Sequence, residues 1–177
     1  MAFKRYDRKQ LNTAFISSSF ASTGHDPAPP FLLPRIQCYP PPSMPLDLTS
    51  FENAISRLRE GLALHAAEPE KTIIRDGLIQ RFEFTYELAH KMLKRALEAA
   101  SPSPEQYDQM GFADLIRSGN EQSLLLGDWP QWKTYRDMRA KTSHTYAEHT
   151  ALEVVKGIAG FLAEAEFLLG QLRARAL

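Results

Sequence analysis

Residues 74–97 read IRDGLIQRFEFTYELAHKMLKRAL, and the spacing of their apolar side chains decides the fold. These side chains follow one another in steps of three or four residues: Ile74, Leu78, Phe82, Tyr86, Ala89, Leu93 and Leu97. That step is the period of an α-helix with one buried face. We therefore predict a long helix over residues 70–100. Its opposite face carries the charged side chains Arg75, Glu83, Glu87, Lys91 and Lys94.

The same period continues on both sides of this helix. A first helix is expected from Thr49 or Ser50, either of which can cap it, to about Ala67. A short helix over residues 112–118 and a fourth helix from about Pro130 follow. The last helix is expected from about Tyr146 to about Ala174, with an apolar stripe of Leu152, Val155, Ile158, Ala159, Leu162, Ala165, Leu169 and Leu172.

No segment shows the alternating β-branched pattern of a strand, so the sequence predicts an all-α protein. Long amphipathic helices joined by short polar loops are typical of an up-and-down bundle. We predict a four-helix up-and-down bundle over residues 44–177, with one extra short helix. Helices of this length leave apolar surface for a second subunit, which favours a homodimer.

Residues 1–43 differ from the rest, because they hold seven of the twelve prolines and no periodic apolar face. Proline blocks helix continuation, and such a stretch buries too little surface to offset its ordering entropy. We predict a disordered extension. Because the segment that begins at Met44 reads like a natural start, a mis-assigned start codon is the alternative.

Charge and composition exclude several classes of protein. Lysine and arginine balance aspartate and glutamate at 21 each, and residues 44–177 are mildly acidic, unlike a general nucleic-acid binder.

The single cysteine, Cys38, rules out an internal disulfide framework and fits a reducing cytoplasm, where we expect the protein to act. No apolar run is long enough to span a membrane. No glycine-rich phosphate loop occurs, and we expect no cofactor.

The stretch from Arg139 to Tyr146 carries the candidate chemistry. Arginine binds phosphate through two donors, and histidine transfers protons near neutral pH. A helix break is expected at Thr142-Ser143, because both side chains can cap the helix that follows. This break would bring Arg139 and His144 together, for RNA cleavage through the ribose 2′-hydroxyl. The spacing alone favours a structural role, in which Arg139 pairs with a helix carboxylate such as Glu83 and His144 ends a helix.

Other polar and aromatic residues point less clearly to a site. His90, His144 and His149 lack metal-ligand spacing, so we predict no metal site. The carboxylates of Glu83 and Glu87 lie one turn apart, which suits acid–base chemistry or a solvated helix face. Trp129 and Trp132 could stack a base, but anchoring the fourth helix is the simpler interpretation.

Two segments resemble a known family. Residues 75–88 are similar to the second-helix signature of the nucleotidyltransferase substrate-binding protein family, which belongs to the HEPN superfamily of helical bundles. Arg139-x4-His144-x-Tyr146 resembles the R-x4-H-x-Y motif of the HEPN partners of minimal nucleotidyltransferases. Ala140 departs from the polar residue that commonly follows the motif arginine. The resemblance covers residues 44–177.

The resemblance implies a homodimer whose R-x4-H motifs face each other, encoded beside a cognate minimal nucleotidyltransferase. It implies a metal-independent ribonuclease toxin, with Arg139 and His144 as catalytic residues. The partner would neutralise it by binding or by AMPylating Tyr146, which could otherwise position substrate. Glu83 and Ser143 are candidate supporting residues. The alternative is a non-catalytic nucleotide-binding subunit of a two-chain nucleotidyltransferase.

Overall fold

The computed structural model describes residues 46–144 and 147–175, and every regular element within those ranges is helical. The five α-helices are α1 (Thr49–Ala67), α2 (Thr72–Ala100), α3 (Phe112–Glu121), α4 (Trp129–Lys141) and α5 (Glu148–Ala174). Short 3₁₀ turns follow α2, at Pro104–Tyr107, and separate α4 from α5, at Thr142–His144. The prediction of an all-α fold is confirmed. The proline-rich extension predicted over residues 1–43 lies outside the described residues.

Contacts between the helices give an up-and-down order. The start of α1 meets the end of α5 through Glu52 and Arg173, so these two helices are antiparallel. Arg81 of α2 bonds to the carbonyl oxygen of Arg57, and Thr85, one turn later, lies 3.4 Å from the carbonyl oxygen of Ala54, one turn earlier, so α2 is antiparallel to α1. Because α4 runs back along α5, the helices alternate in direction and α3 is the extra short helix.

An aromatic cluster fills the centre of the bundle. The rings of Phe82 and Phe161 meet edge to face, with centroids 5.1 Å apart, and Tyr135 meets Phe161 at 5.2 Å. Trp132 is fully buried and lies edge to face against Phe161 at 6.3 Å. Such rings bury large apolar areas in favourable geometry, so they fix α4 against α2 and α5. The prediction that Trp132 anchors α4 is confirmed.

Glu164 is the unexpected member of this core, with 1% of its surface exposed. Its carboxylate accepts hydrogen bonds from the backbone N–H groups of Leu126 and Gly127, at 2.9 and 2.7 Å, and from Trp132 Nε1 at 3.1 Å. Burial raises the pKa of this carboxyl, and the three donors act in the opposite direction. Glu164 therefore ties the loop between α3 and α4 to α5. This role was not predicted from the sequence, since glutamate is ordinarily exposed.

Several predicted helix ends are wrong by a few residues. Leu48, rather than Thr49 or Ser50, occupies the N-cap of α1, and Asp47 Oδ1 accepts a hydrogen bond from Thr49 N. The second helix starts at Thr72, the third continues to Glu121, and α5 starts at Glu148 rather than near Tyr146. Local hydrogen bonds set these ends, and apolar spacing does not record them.

Two predicted faces also need correction. Arg75, placed on the solvent face of α2, is only 9% exposed. On α5, Leu152 and Ala159 are exposed, whereas Ala151, Val154, Phe161 and Leu168 are buried. The buried face of α5 is thus rotated around the helix axis relative to the predicted stripe. The prediction missed this rotation because small and apolar residues occur on more than one side of α5. None of the helices in the described ranges combines the length and hydropathy that crossing a membrane requires.

Candidate active site

The predicted break in the helix between Arg139 and His144 is present. α4 ends at Lys141, residues Thr142–His144 form a 3₁₀ turn, and α5 begins only at Glu148. Arg139 lies in the last turn of α4, where a positive side chain is favoured by the helix dipole. The predicted reason for the break is wrong, since Ala147 occupies the N-cap of α5 and no side chain caps it.

Arg139 is held by two carboxylates from α2. Its Nη1 lies 3.0 Å from Glu83 Oε1, and its Nε and Nη2 each lie 3.1 Å from Glu87 Oε1. The contact with Glu83 is the one that the structural interpretation of the sequence predicted. Tertiary contacts with α2 therefore position the Arg139 side chain at the end of α4.

Thr142, which the sequence indicated only as part of a helix break, completes this network. Its side chain is 7% exposed, and its Oγ1 accepts a hydrogen bond from Arg139 Nη1 at 3.0 Å. The hydroxyl also lies within hydrogen-bonding distance of two acceptors, Glu83 Oε1 at 2.5 Å and the carbonyl oxygen of Arg139 at 2.8 Å. One hydroxyl thus joins the end of α4 to Glu83, and it fixes the turn that leads to His144.

The two carboxylates around Arg139 differ in exposure. The side chain of Glu83 is 28% exposed, whereas that of Glu87 is 62% exposed. Glu87 holds the Nε and Nη2 edge of the guanidinium, which is the edge that binds a phosphate through two parallel hydrogen bonds. An incoming phosphate can replace Glu87 without disturbing Glu83 or Thr142.

The other predicted site residues follow directly in the chain. Ser143 is exposed within the 3₁₀ turn, and the backbone of His144 ends that turn. Tyr146 and the side chain of His144 lie outside the described residues. Their approach to Arg139 therefore stays a prediction.

Arg75 holds the far end of the segment that contains His144 and Tyr146. Its Nη1 lies 3.2 Å from Glu148 Oε1, and its Nε lies 3.5 Å from Asp76 Oδ1. Arg75 and Glu83 are eight residues apart, or about 12 Å along α2 at 1.5 Å per residue. This one helix thus contacts both ends of residues 142–148.

A partly exposed aromatic surface borders Arg139. Arg136, one turn earlier on α4, places its guanidinium carbon 5.3 Å from the ring centre of Phe112. His90 and Trp129 meet the same ring edge to face, at 5.2 and 5.9 Å. Burial lowers the pKa of His90, so this imidazole is neutral at physiological pH. Within the described ranges, no group of three or more His, Cys, Asp or Glu residues is arranged to hold a metal ion.

Comparison with known proteins places this chain in a family. Residues 46–174 match the family described as "Nucleotidyltransferase substrate binding protein like". A Haemophilus influenzae protein named "Probable ribonuclease HepT" is 46% identical over 99 residues, which are 56% of this chain and 67% of that relative.

Two solved structures share the fold. One is a Haemophilus influenzae protein described as revealing the fold of a substrate binding domain of a nucleotidyltransferase. It is 36% identical with a TM-score of 0.67, over 72% of this chain and 99% of that protein. The other, from Thermus thermophilus, is 30% identical with a TM-score of 0.59, over 70% and 98% of the two chains. Since the family match covers most of the chain, the protein belongs to the nucleotidyltransferase substrate-binding protein family.

Proposed function

We propose that this protein is the HEPN-type subunit of a two-gene toxin–antitoxin module and acts as a metal-independent ribonuclease. The observation that carries the proposal is Arg139, which three side chains hold at a helix break five residues before His144. The identity to a protein named as a ribonuclease supports the same function. RNA is the substrate class, because the reaction needs a 2′-hydroxyl beside the phosphate.

In the proposed reaction, neutral His144 takes the proton of the ribose 2′-hydroxyl, and the 2′-oxygen attacks the adjacent phosphorus. The bond from phosphorus to the 5′-oxygen breaks, and the leaving oxygen takes a proton from water. The hydroxide that remains takes the proton back from His144, which is neutral again. The products are a 2′,3′-cyclic phosphate and a 5′-hydroxyl. Arg139 stabilises the negative charge on the five-coordinate phosphate through its Nε and Nη2 edge. Glu83 and Thr142 hold the opposite side of the guanidinium and position it.

The proposed partner is a cognate minimal nucleotidyltransferase in the cytoplasm, as the family description suggests. It neutralises the ribonuclease by binding or by transferring AMP to Tyr146. A nucleotide on this tyrosine would place a phosphate two residues from His144, in competition with RNA. Mass spectrometry of the chain co-expressed with its neighbouring gene tests whether Tyr146 gains AMP.

A homodimer is part of the proposal. Ile73 and Phe84 are 79% and 57% exposed on the outer face of α2, and a side chain at Gly77 between them would meet open space. This apolar strip runs beside Glu83 and Glu87, so a second copy seated on it would bring the two candidate sites near each other. Exposed apolar strips of this kind commonly mark interfaces.

The deciding experiment measures RNA cleavage by the full chain in EDTA. We expect His144→Ala to abolish cleavage and Arg139→Lys to reduce it, since lysine lacks two parallel donors. His149→Ala, in an exposed side chain on the first turn of α5, is the matched control and should cleave like the wild type. Cleavage that survives in folded His144→Ala protein would remove His144 from the mechanism.

A second function, a non-catalytic nucleotide-binding subunit, is favoured by one observation. Every nitrogen of the Arg139 guanidinium already has an oxygen partner from Glu83, Glu87 or Thr142. Such a subunit would cleave no RNA, would co-purify with the nucleotidyltransferase, and would tighten nucleotide binding by the complex relative to the partner alone. Isothermal titration of the partner with and without this chain measures that difference.

A further inference from the structure

Two arginines on α4 lie one turn apart and have different surroundings. Arg139 contacts Glu83 and Glu87. Arg136 is exposed, its guanidinium carbon lies 5.3 Å from the ring centre of Phe112, and it forms no ion pair with a residue of the ranges 46–144 and 147–175. The neighbouring carboxylate of Asp137 lies 3.8 Å from Lys133, on the preceding turn. Arg136 therefore presents a positive charge that no carboxylate of the described residues neutralises.

The ring beneath Arg136 is fixed by its neighbours. Phe112 meets His90 at 5.2 Å, Trp129 at 5.9 Å and the buried Trp132 at 6.3 Å. A guanidinium stacked on a fixed aromatic face gains a cation–π contact and gives up little further freedom when it binds a ligand. One face of Arg136 is thus occupied by Phe112, while its N–H donors remain open to solvent.

The spacing of the two arginines fits a polyanion. They are three positions apart in the chain. On a helix this spacing places the two side chains about 4.5 Å apart along the axis and about 60° apart around it. Both guanidinium groups consequently lie on the same side of α4, next to α2 and α3. A ligand with two successive negative groups would engage both, and single-stranded RNA supplies a phosphate at every nucleotide.

We propose that Arg136, stacked on Phe112, binds the RNA phosphate adjacent to the phosphate that Arg139 takes. This inference rests on the proposed ribonuclease function, since it needs RNA at Arg139. It adds a binding residue outside the R-x4-H-x-Y segment. Arg136 contacts the substrate away from the reacting atoms, so it contributes to affinity and to the alignment of the strand.

The test measures how the full chain binds a fluorescent RNA trinucleotide in which the 2′-hydroxyls are replaced by hydrogen, so that no cleavage occurs. Each neutralised phosphate contributes about 0.7 to the slope of log affinity against log salt for a single strand. We expect Arg136→Gln to lower that slope by about this amount. Arg136→Lys keeps the charge and should restore the slope.

Arg57→Gln is the matched control, because Arg57 is exposed on α1 and its side chain forms no ion pair with another described residue. It changes the net charge equally and should leave the slope unchanged. A dinucleotide with a single phosphate supplies a second control, and on this ligand Arg136→Gln and the wild type should bind equally.

The two possible failures are distinguishable. If the wild type binds the trinucleotide and Arg136→Gln matches Arg57→Gln, the assignment of Arg136 is overturned while RNA binding stands. If the wild type binds no oligonucleotide at any salt concentration, the proposed ribonuclease function fails and the assignment fails with it.

Discussion

Arg139 Nη1 and Glu83 Oε1 lie 3.0 Å apart, and this contact ties the last turn of α4 to the middle of α2. Thr142 Oγ1 bonds to both partners, so the turn toward His144 is fixed by the same network. The candidate catalytic arginine is therefore positioned before any substrate arrives. Prior positioning lowers the cost of aligning a group with a transition state.

Glu87→Gln tests whether a carboxylate competes with substrate for Arg139. Glu87 occupies the Nε and Nη2 edge, and an uncharged amide would bind that edge more weakly. We expect KM for RNA to fall by about three- to tenfold, the equivalent of about 1 kcal/mol, with kcat within twofold. Steady-state cleavage assays measure both constants. Glu105→Gln, which changes an exposed residue, is the control. If KM falls equally in this variant, the effect comes from the net charge and not from competition at Arg139.

Thr142→Val tests the hydroxyl that joins Arg139 to Glu83. The substitution keeps the shape of the side chain but removes the hydrogen bonds of the hydroxyl to Arg139 and Glu83. The free energy of unfolding, measured in urea, should therefore fall by about 1–2 kcal/mol. We also expect kcat to fall about tenfold, because a less well positioned Arg139 would raise the activation free energy by about 1.4 kcal/mol. Thr134→Val, on the exposed side of α4, removes a bond to the Pro130 carbonyl and serves as control. Unchanged kcat in Thr142→Val would show that the hydroxyl contributes to folding alone.

His90 should make the stability depend on pH. Burial lowers its pKa from 6.5, with a smaller raising effect from Glu87 and a smaller lowering effect from Lys94. Below pH 6.5 the unfolded chain takes up the proton before the folded chain, so the free energy of unfolding falls as pH falls. His90→Gln should lose less stability than the wild type between pH 7.5 and 5. Thermal unfolding across this range measures the difference, and His149→Gln is the exposed control.

Gly157 permits the close approach of α5 to α4. A Cβ at this position would lie 2.7 Å from Met138 Cε, whereas one at Gly170 on the same helix would meet nothing within 4 Å. Both Gly→Ala changes gain the same helix propensity, so Gly157→Ala should be less stable than Gly170→Ala by about 1–3 kcal/mol. Urea unfolding of the two variants measures this difference. Equal stabilities would mean that Met138 moves aside without cost.

Phe84→Lys tests the homodimer. Phe84 is 57% exposed on the outer face of α2, and a charge there would have to be desolvated in an interface. We expect this variant to be a folded monomer by light scattering at concentrations where the wild type is a dimer. Leu126→Lys, at a residue that is 61% exposed in the loop after α3, is the control. A dimer that persists in Phe84→Lys would place the interface elsewhere.

The sequence by itself determined the fold class and the order of the helices. The three- and four-residue steps from Ile74 to Leu97 specify a buried helical face whatever surrounds it, because the period is a local property of the chain. The sequence also identified Arg139 and its pairing with Glu83 as one of two interpretations. It located the helix break at Thr142-Ser143, although neither side chain caps the helix that follows.

Tertiary structure alone decided which polar residues are buried and what they contact. Arg75 and Glu164 look like surface residues, yet one lies beneath the start of α5 and the other accepts three hydrogen bonds in the core. The core face of α5 was likewise misplaced, because apolar residues line more than one side of that helix. Burial depends on which neighbours arrive from distant parts of the chain, and the spacing within one helix carries no record of them.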